Sequence, residues 1–433
     1  MYQALLISAI VLTILYGLLI ILYRRWFLEL PLFEVPDTLL PKTRFSIIIP
    51  ARNEAENIDQ YLPSVMEQEY PTDLFDVIVI NDHSTDDTAQ RIQAHQKKYA
   101  NLYLIELSEH IDDLITNAYK KKAIEIAIAQ SKGDWIITTD ADCKVNKEWL
   151  SLYDAYIQLK QPVLIAAPVM FFNTGSFLNL FQLLDFISLQ GITAAAVSAG
   201  SHAMCNGANL AYKKTAFYEV GEFKGIDHIA SGDDMLLMHK IKQRFPEQLG
   251  YLYHSKAIVQ TEAMPNWKSF LNQRIRWASK ADGYQDKSIF VVLLLVYLLN
   301  LSILLLAISA FFVAHGWYYL MLLISIKTLI ELSFMIPVSR FFGLLDTIVW
   351  FPIMQPFHIL YTVIAGWLGS LSSYYSCRGI SWRSARNGFI DNGFIFSGYA
   401  LQLFIYAGQK LPQPILCLLS DYYRNGLRCG SGR

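Results

Sequence analysis

Phe45-Ser-Ile-Ile-Ile-Pro-Ala-Arg-Asn-Glu54 and Asp76-Val-Ile-Val-Ile-Asn-Asp-His-Ser84 are two short β-branched runs, each ending in polar and charged residues. Such runs read as buried strands. Similar ones recur at 101–107, 134–139 and 163–169. The stretches Glu54–Glu67, Thr85–Tyr99 and Thr116–Ser131 alternate with them and carry apolar residues at helical spacing. Strand–helix alternation predicts an α/β domain, a mostly parallel sheet covered by helices on both faces. Ligands of such sheets sit at the carboxyl ends of the strands, so the residues just after each run carry the functional interest. Ser84 is expected to cap the helix over 85–99, with Asp86 and Asp87 at its positive end.

The flanks of this domain read differently. Of the 433 residues, 53% are hydrophobic and only 17% charged, and the apolar residues cluster at the two ends. Tyr2–Tyr23 is a near-continuous apolar run closed by Arg24 and Arg25. Its length suits a spanning helix, and charges after the run fit an anchor with a cytoplasmic carboxyl end. Residues 1–25 are therefore expected to be a transmembrane anchor. A linker punctuated by Pro31, Pro36 and Pro41 follows over 26–44, and the α/β domain is expected over 45–287.

Within that domain, 171–199 is apolar but broken by Asn173, Asp185 and Gln190. It predicts an amphipathic helix at a membrane surface, with a buried core helix as the alternative. Two spans, Ile289–Ala314 and Trp317–Val338, meet at a His315-Gly316 turn, and a third apolar block covers Phe341–Leu371. The third block is either interfacial, re-entrant or a hairpin, because a third full span would export the basic stretch Arg378–Arg386 against the positive-inside bias. A basic segment and tail occupy 372–433. Net charge is −1, so no basic face argues for nucleic acid. The five cysteines are scattered, odd in number and include no CxxC pair, so they suggest neither a disulfide framework nor a zinc site.

Three acidic clusters follow predicted strands or open predicted helices. Asp82 ends the second strand, where a carboxylate can accept hydrogen bonds from a base or ribose; Asp and Ser before a helix are also ordinary turn residues. Asp140-Ala-Asp142 ends another, and two carboxylates one residue apart can converge on a hard cation such as Mg²⁺ or Mn²⁺. Asp233-Asp234 opens an apolar stretch, where a carboxylate could take a proton from a hydroxyl, or simply favour the start of a helix. Gln273-Arg-Ile-Arg276-Trp277 precedes the membrane block. Arg276 suits a diphosphate because its fork of donors binds two oxygens, and Trp277 could wall an acceptor pocket; interfacial anchoring is the plain alternative.

Taken together, these segments resemble family 2 glycosyltransferases of the GT-A fold. The resemblance runs from Phe45 to Trp277 through Val79–Thr88, Lys120-Lys-Lys-Ala-Ile124, Asp140–Asp142, Gly207-Ala-Asn-Leu-Ala-Tyr212, Asp233-Asp234 and Gln273–Trp277. It implies a donor site made by Ala51, Glu54, Asp82, Lys120, Asp140, Gln273, Arg276 and Trp277. It implies Mg²⁺ or Mn²⁺ at Asp142 and Asp140, an acceptor side at Gly207, Asn209 and Trp277, and Asp234 as general base of an inverting transfer with Asp233 beside it. The final motif is similar to that of the membrane-bound branch, which includes cellulose and hyaluronan synthases and ceramide glucosyltransferase. That likeness implies a UDP-sugar donor, a lipid or growing polysaccharide acceptor, and an integral protein of the cell (inner) membrane with its catalytic domain in the cytoplasm. Two departures stand out: Asn81 replaces a frequent second aspartate, and Asp233 a frequent glutamate. The rival classes are an inactive membrane scaffold on the same fold and a transporter. The ionisable groups inside the apolar blocks are Lys327, Glu331 and Asp346, of which Lys327 and Glu331 stand at pairing distance on a helix.

Overall fold

The computed structural model describes residues 2–36, 38–110, 119–202, 204–227, 229, 232–279 and 287–377. The basic stretch 378–386 and the tail after it lie outside them. The chain opens with α1 (Tyr2–Glu29), then β1 (Phe45–Ala51), α2 (Ala55–Met66), β2 (Phe75–Asn81), α3 (Thr88–Gln96), β3 (Leu102–Glu106), α4 (Tyr119–Gln130) and β4 (Trp135–Thr138). It continues with α5 (Trp149–Lys160), β5 (Leu164–Ala166), β6 (Val169–Phe171), α6 (Phe177–Ser198), β7 (Leu210–Lys213), α7 (Lys214–Glu219), α8 (Asp233–Arg244), β8 (Leu249–Tyr251), β9 (Val259–Thr261) and α9 (Trp267–Ala278). Three long helices close it: α10 (Lys287–Ser309), α11 (Gly316–Phe341) and α12 (Phe351–Cys377).

The α/β expectation holds. Seven strands form one sheet in the order β3-β2-β1-β4-β7-β5-β8, parallel except for β7, which runs against β4 and β5. Every residue of β2 is buried, as a central parallel strand covered on both faces requires. The register fixes where the strands end. Ala51 pairs with Asn81, Asn81 with Glu106, and Ile48 with Thr138. The loops after β1, β2 and β4 therefore leave from one edge. Because β7 is reversed, its first residue, Leu210, pairs with Thr138, so the segment just before β7 reaches that same edge. Gly133 enters β4 so close to β1 that a Cβ would sit 2.4 Å from the Ser46 amide nitrogen. Its own amide donates to Ser46 Oγ, which donates in turn to Asp76.

Two local expectations are corrected. The run 163–169 is not one strand: Ala167-Pro168 divides it, and β6 leaves the main sheet to pair with β9. Proline cannot donate to a ladder, which is why the break falls there. Ser84 does not cap α3, which starts at Thr88 with Asp87 before it. Instead Ser84 Oγ accepts from the Asn53 amide, Thr88 Oγ1 from the Glu54 amide, and Asp86 Oδ2 from the Ala55 amide. The polar side chains that make good caps are here spent on gripping the neighbouring loop.

Among the described residues, five helices are long and apolar enough to cross a membrane: α1, α6, α10, α11 and the stretch from Leu345 through α12. Four of them leave most of their apolar surface outside the fold. The exception is α6, with 83% of its apolar window buried. It lies against β6 and β8 on one side and α1 and α11 on the other. Gly191 permits that approach, since a Cβ there would meet Val338 of α11 at 2.6 Å. The third apolar block is no hairpin. A 3₁₀ turn over Leu345–Trp350 leads into the unbroken α12. Lys327 and Glu331 do pair, at 2.6 Å, inside the helical packing.

Candidate active site

At the shared strand edge the backbone itself is unusual. Asn53 after β1 and His83 after β2 both have positive φ, 57° and 54°. Non-glycine residues rarely hold that conformation, and Asn and His are among those that tolerate it best. The two loops lock together: the Asp82 amide donates to Ala51 O (2.8 Å) and the Thr85 amide to Asn53 Oδ1 (2.8 Å). Asp82 Oδ1 meets His83 Nδ1 at 3.0 Å, and Arg52 stands 3.7 Å from Oδ2. The His83 ring packs edge-on against Tyr119, the residue before Lys120. Asn81 donates to Glu106 Oε2 and accepts from the Ser84 amide. An aspartate could not do both, so the departure noted at this position has a structural use.

Lys120 joins the acidic clusters. Its Nζ lies 2.9 Å from Asp140 Oδ1 and 3.6 Å from Asp233 Oδ2. Burial works against the charge on Lys120, but Asp140, Asp233 and Asp234 outweigh it and hold the ammonium well above its ordinary range. Asp234 Oδ2 accepts from the Gly207 amide at 2.9 Å, which brings the segment before β7 onto the start of α8. Asp142 Oδ2 accepts from Thr261 Oγ1 at 2.9 Å. Burial, with Asp140 second, pushes the Asp142 carboxyl up. Glu54 is raised for the same kind of reason, by burial and then by Asp142, Asp140 and Asp86, against a hydrogen bond from Asn57.

This mutual repulsion is what a divalent cation would relieve. The ligand atoms of Asp140, Asp142 and Cys143 all lie within 4.8 Å of one another. Burial and the two aspartates push the Cys143 thiol well up, so it stays a neutral thiol. The donors that remain are hard carboxylate oxygens. One or two of these, completed by phosphate and water, suit Mg²⁺ or Mn²⁺.

Not every expected residue joins this group directly. Asn209 is wholly buried: its Oδ1 accepts from Trp149 Nε1 and Tyr153 OH, and its Nδ2 donates to Pro168 O and Ala257 O. Its side chain is thus committed to the fold, three residues from Asn206 and two from Gly207. On α9, Arg276 is exposed while Arg274 is buried. Phe270, Arg274 and Trp277 share one helix face at i, i+4, i+7 spacing, a signal the sequence contained. Arg274 donates through Nε and Nη2 to Asp185 Oδ2 (3.1 and 2.7 Å), through Nη1 to Gln273 Oε1, and lies 4.2 Å over Trp277. Packing then carries the motif back to the acidic edge. Trp277 touches Phe186, Phe186 stacks on Phe171 (4.4 Å), and Phe171 pairs in register with Thr261, the residue bonded to Asp142. Sequence reading missed Thr261, Asp185 and Arg274.

Comparison with known families decides what this edge belongs to. The model of glycosyl transferase family 2 matches residues 46–221, and that of glycosyl transferase family group 2 matches 135–368, more than half of the chain. The chain belongs to glycosyltransferase family 2. This family 2 chain is 29% identical over 252 residues to the probable glycosyltransferase YdaM of Bacillus subtilis (strain 168), covering 55% of each. It is 26% identical over 236 residues to the poly-beta-1,6-N-acetyl-D-glucosamine synthase of Staphylococcus epidermidis, covering 54% of this chain and 53% of that one. The matches thus span about half the length of these relatives. Among solved structures, the mannosyltransferase PcManGT from Pyrobaculum calidifontis, in complex with GDP-Man and Mn²⁺, superposes with a TM-score of 0.56 at 16% identity. That match covers 83% of this family 2 chain and 99% of PcManGT, and shows a common GT-A fold.

Proposed function

We propose that this chain is a membrane-bound, inverting glycosyltransferase that moves a sugar from a nucleotide diphosphate donor of the UDP class to a lipid or growing polysaccharide. The observation that carries the reading is the convergence at one sheet edge: Lys120 between Asp140 and Asp233, with Asp234 held by Gly207 and Asp142 by Thr261. Ala51, Glu54 and Asp82 line the nucleoside side, with Lys120 at its border. A divalent cation held by Asp140 and Asp142 would supply charge neutralisation for the diphosphate.

Asp234 takes the proton of the acceptor hydroxyl. The acceptor oxygen forms its bond to the anomeric carbon, the carbon–phosphate-oxygen bond breaks from the opposite side, and the nucleoside diphosphate leaves with the electron pair. Asp233 keeps Lys120 near that hydroxyl. Arg276, exposed on α9, and Gln273 are assigned to the leaving diphosphate, Trp277 to the border of donor and acceptor, and Gly207 to the acceptor side. Asn209 serves this site by position rather than by contact. The membrane assignment is supported by the outward apolar faces of α1, α10, α11 and α12, and by Arg24 and Arg25, which follow the apolar run of α1 one turn before the helix ends at Glu29. On that reading the α/β domain faces the cytoplasm of the cell membrane.

The test is release of nucleoside diphosphate by the purified chain in detergent with Mg²⁺ or Mn²⁺. UDP-N-acetylglucosamine comes first because of the synthase relative, and GDP-mannose is the contrast because of PcManGT. Asp234→Asn is expected to retain donor binding and lose about 10²–10³-fold in turnover. Full turnover in that variant would remove Asp234 from the mechanism.

A further inference from the structure

A second polar site lies away from the acidic edge, among the long helices. A cavity of about 70 Å³ is bounded by α1, α6, α11 and α12, and Tyr16, Asp185, Ser188, Glu331, Gln355 and His358 contribute its polar lining. One water occupies on the order of 10–15 Å³ of such space. The cavity therefore holds several waters or a head group of a few heavy atoms, and is too small for a chain of sugar rings. Ionisable groups inside apolar helical packing are expensive, and where they face a cavity they mark a functional path or site.

The polar lining is one-sided. Asp185 and Glu331 face the cavity, while their cations, Arg274 and Lys327, do not line it. A carboxylate offers about four lone-pair positions. On Asp185 three are used: Arg274 donates twice to Oδ2, and Tyr361 OH donates to Oδ1. On Glu331 three are used as well: Lys327 and Tyr16 donate to Oε1 (2.6 Å each) and Gln355 to Oε2 (2.6 Å). Each carboxylate keeps one acceptor position. His358 Nδ1 also has no hydrogen-bond partner among the described residues. The site thus offers hydrogen-bond acceptors, each carboxylate's charge being matched by its own cation, next to Phe181 and Met354.

We propose that this cavity binds the hydroxyl-bearing, uncharged head group of a lipid, and that it selects against phosphorylated lipids. An O–H donor fills the vacant acceptor positions, and the apolar walls suit the start of the acyl chains. A phosphate, which has only acceptor oxygens to offer when fully ionised, would meet the acceptor oxygens of two carboxylates whose cations are already committed to them. Asp185 also anchors Arg274 and through it Trp277, so a head group held here lies one side-chain layer from the acceptor border. The inference rests on the membrane transferase reading given above and narrows its acceptor to a neutral lipid.

The experiment uses the full chain in nanodiscs and a photoreactive diacylglycerol, with the matching phosphatidic acid and a short soluble oligosaccharide as competitors. Diacylglycerol is expected to label residues of α6, α11 or α12 around the cavity, and phosphatidic acid to compete at least tenfold less well than unlabelled diacylglycerol. Ile192→Phe, which fills the cavity without touching an ion pair, and His358→Leu should each reduce labelling at least fivefold. Nucleotide binding, read by titration with UDP and Mn²⁺, should be unchanged in both. Equal competition by phosphatidic acid, displacement by the oligosaccharide, or labelling indifferent to both substitutions would overturn the proposal. Labelling that persists in a chain inert to every nucleotide sugar would leave this site standing and defeat the transferase reading instead.

Discussion

Asp142 is less stable as a carboxylate in the folded chain than in the unfolded one, because burial and then Asp140 raise its carboxyl above the ordinary value of about 3.9. The folded state holds that proton more tightly. Native stability is therefore fully present below the ordinary aspartate range and is lost as pH rises through the raised value. Asp142→Asn removes this loss, and an amide oxygen can still accept from Thr261. Without added cation, the variant is expected to melt at a higher temperature than the parent near neutral pH. The difference should shrink to nothing once the pH falls below the ordinary aspartate range. On the proposed role of Asp142 at the cation and diphosphate, its turnover should drop about 10²–10³-fold. Thermal melts across pH, set beside diphosphate release, check both halves. A variant both less stable and less active would point to a structural role for the Asp142–Thr261 contact alone.

At the scale of elements, Asn209 shows how position and contact differ. Four hydrogen bonds tie the start of β7 to α5 and to the Pro168 and Ala257 turns. Asn209→Ala leaves the buried Trp149 and Tyr153 donors and the Ala257 carbonyl without partners, each worth about 1–3 kcal/mol, while Pro168 O keeps the Val259 amide. The expected result is loss of several kcal/mol, seen as failure to fold or a large fall in melting temperature. A stable Asn209→Ala variant altered only in acceptor affinity would instead make Asn209 an acceptor ligand. The same distinction explains what could be read in advance. The runs of β1, β2 and β4 and the aspartates after them were legible because strand pattern and strand end are local in sequence. Strands β8 and β9, of three residues each, carry too little pattern to register, and β7 runs straight into α7 at Lys214. Thr261 is 119 residues from Asp142, and Arg274 is 89 from Asp185, so those partnerships exist only once the sheet and helices are packed. Ser84 failed as a cap because its oxygen serves another loop.

Across the whole molecule, one buried ion pair connects the family motif to the long helices. Asp185 on α6 receives Arg274 from α9 and Tyr361 from α12, and Trp277 rests under the Arg274 guanidinium. Both members of the pair are almost wholly buried, with side-chain exposures of 4%. In such pairs the attraction roughly offsets desolvation, so the pair adds little net stability, yet losing one partner costs about 3–5 kcal/mol. Asp185→Leu and Arg274→Leu are each expected to lower stability by about that amount. The Asp185→Leu/Arg274→Leu double variant should recover most of it, because no unpaired charge is left inside. Activity should not recover with it. With the salt bridge gone, α9 keeps only its aromatic packing on α6 and α12, and Trp277 loses the cation that holds its ring. The double variant should therefore melt near the parent but transfer sugar to its acceptor more slowly, while hydrolysing donor at a rate closer to the parent's. Melting temperature, transfer and donor hydrolysis, compared across the four proteins, separate the two roles. If transfer returns together with stability, the pair is only a packing device, and the link from the membrane helices to the acceptor border does not run through it.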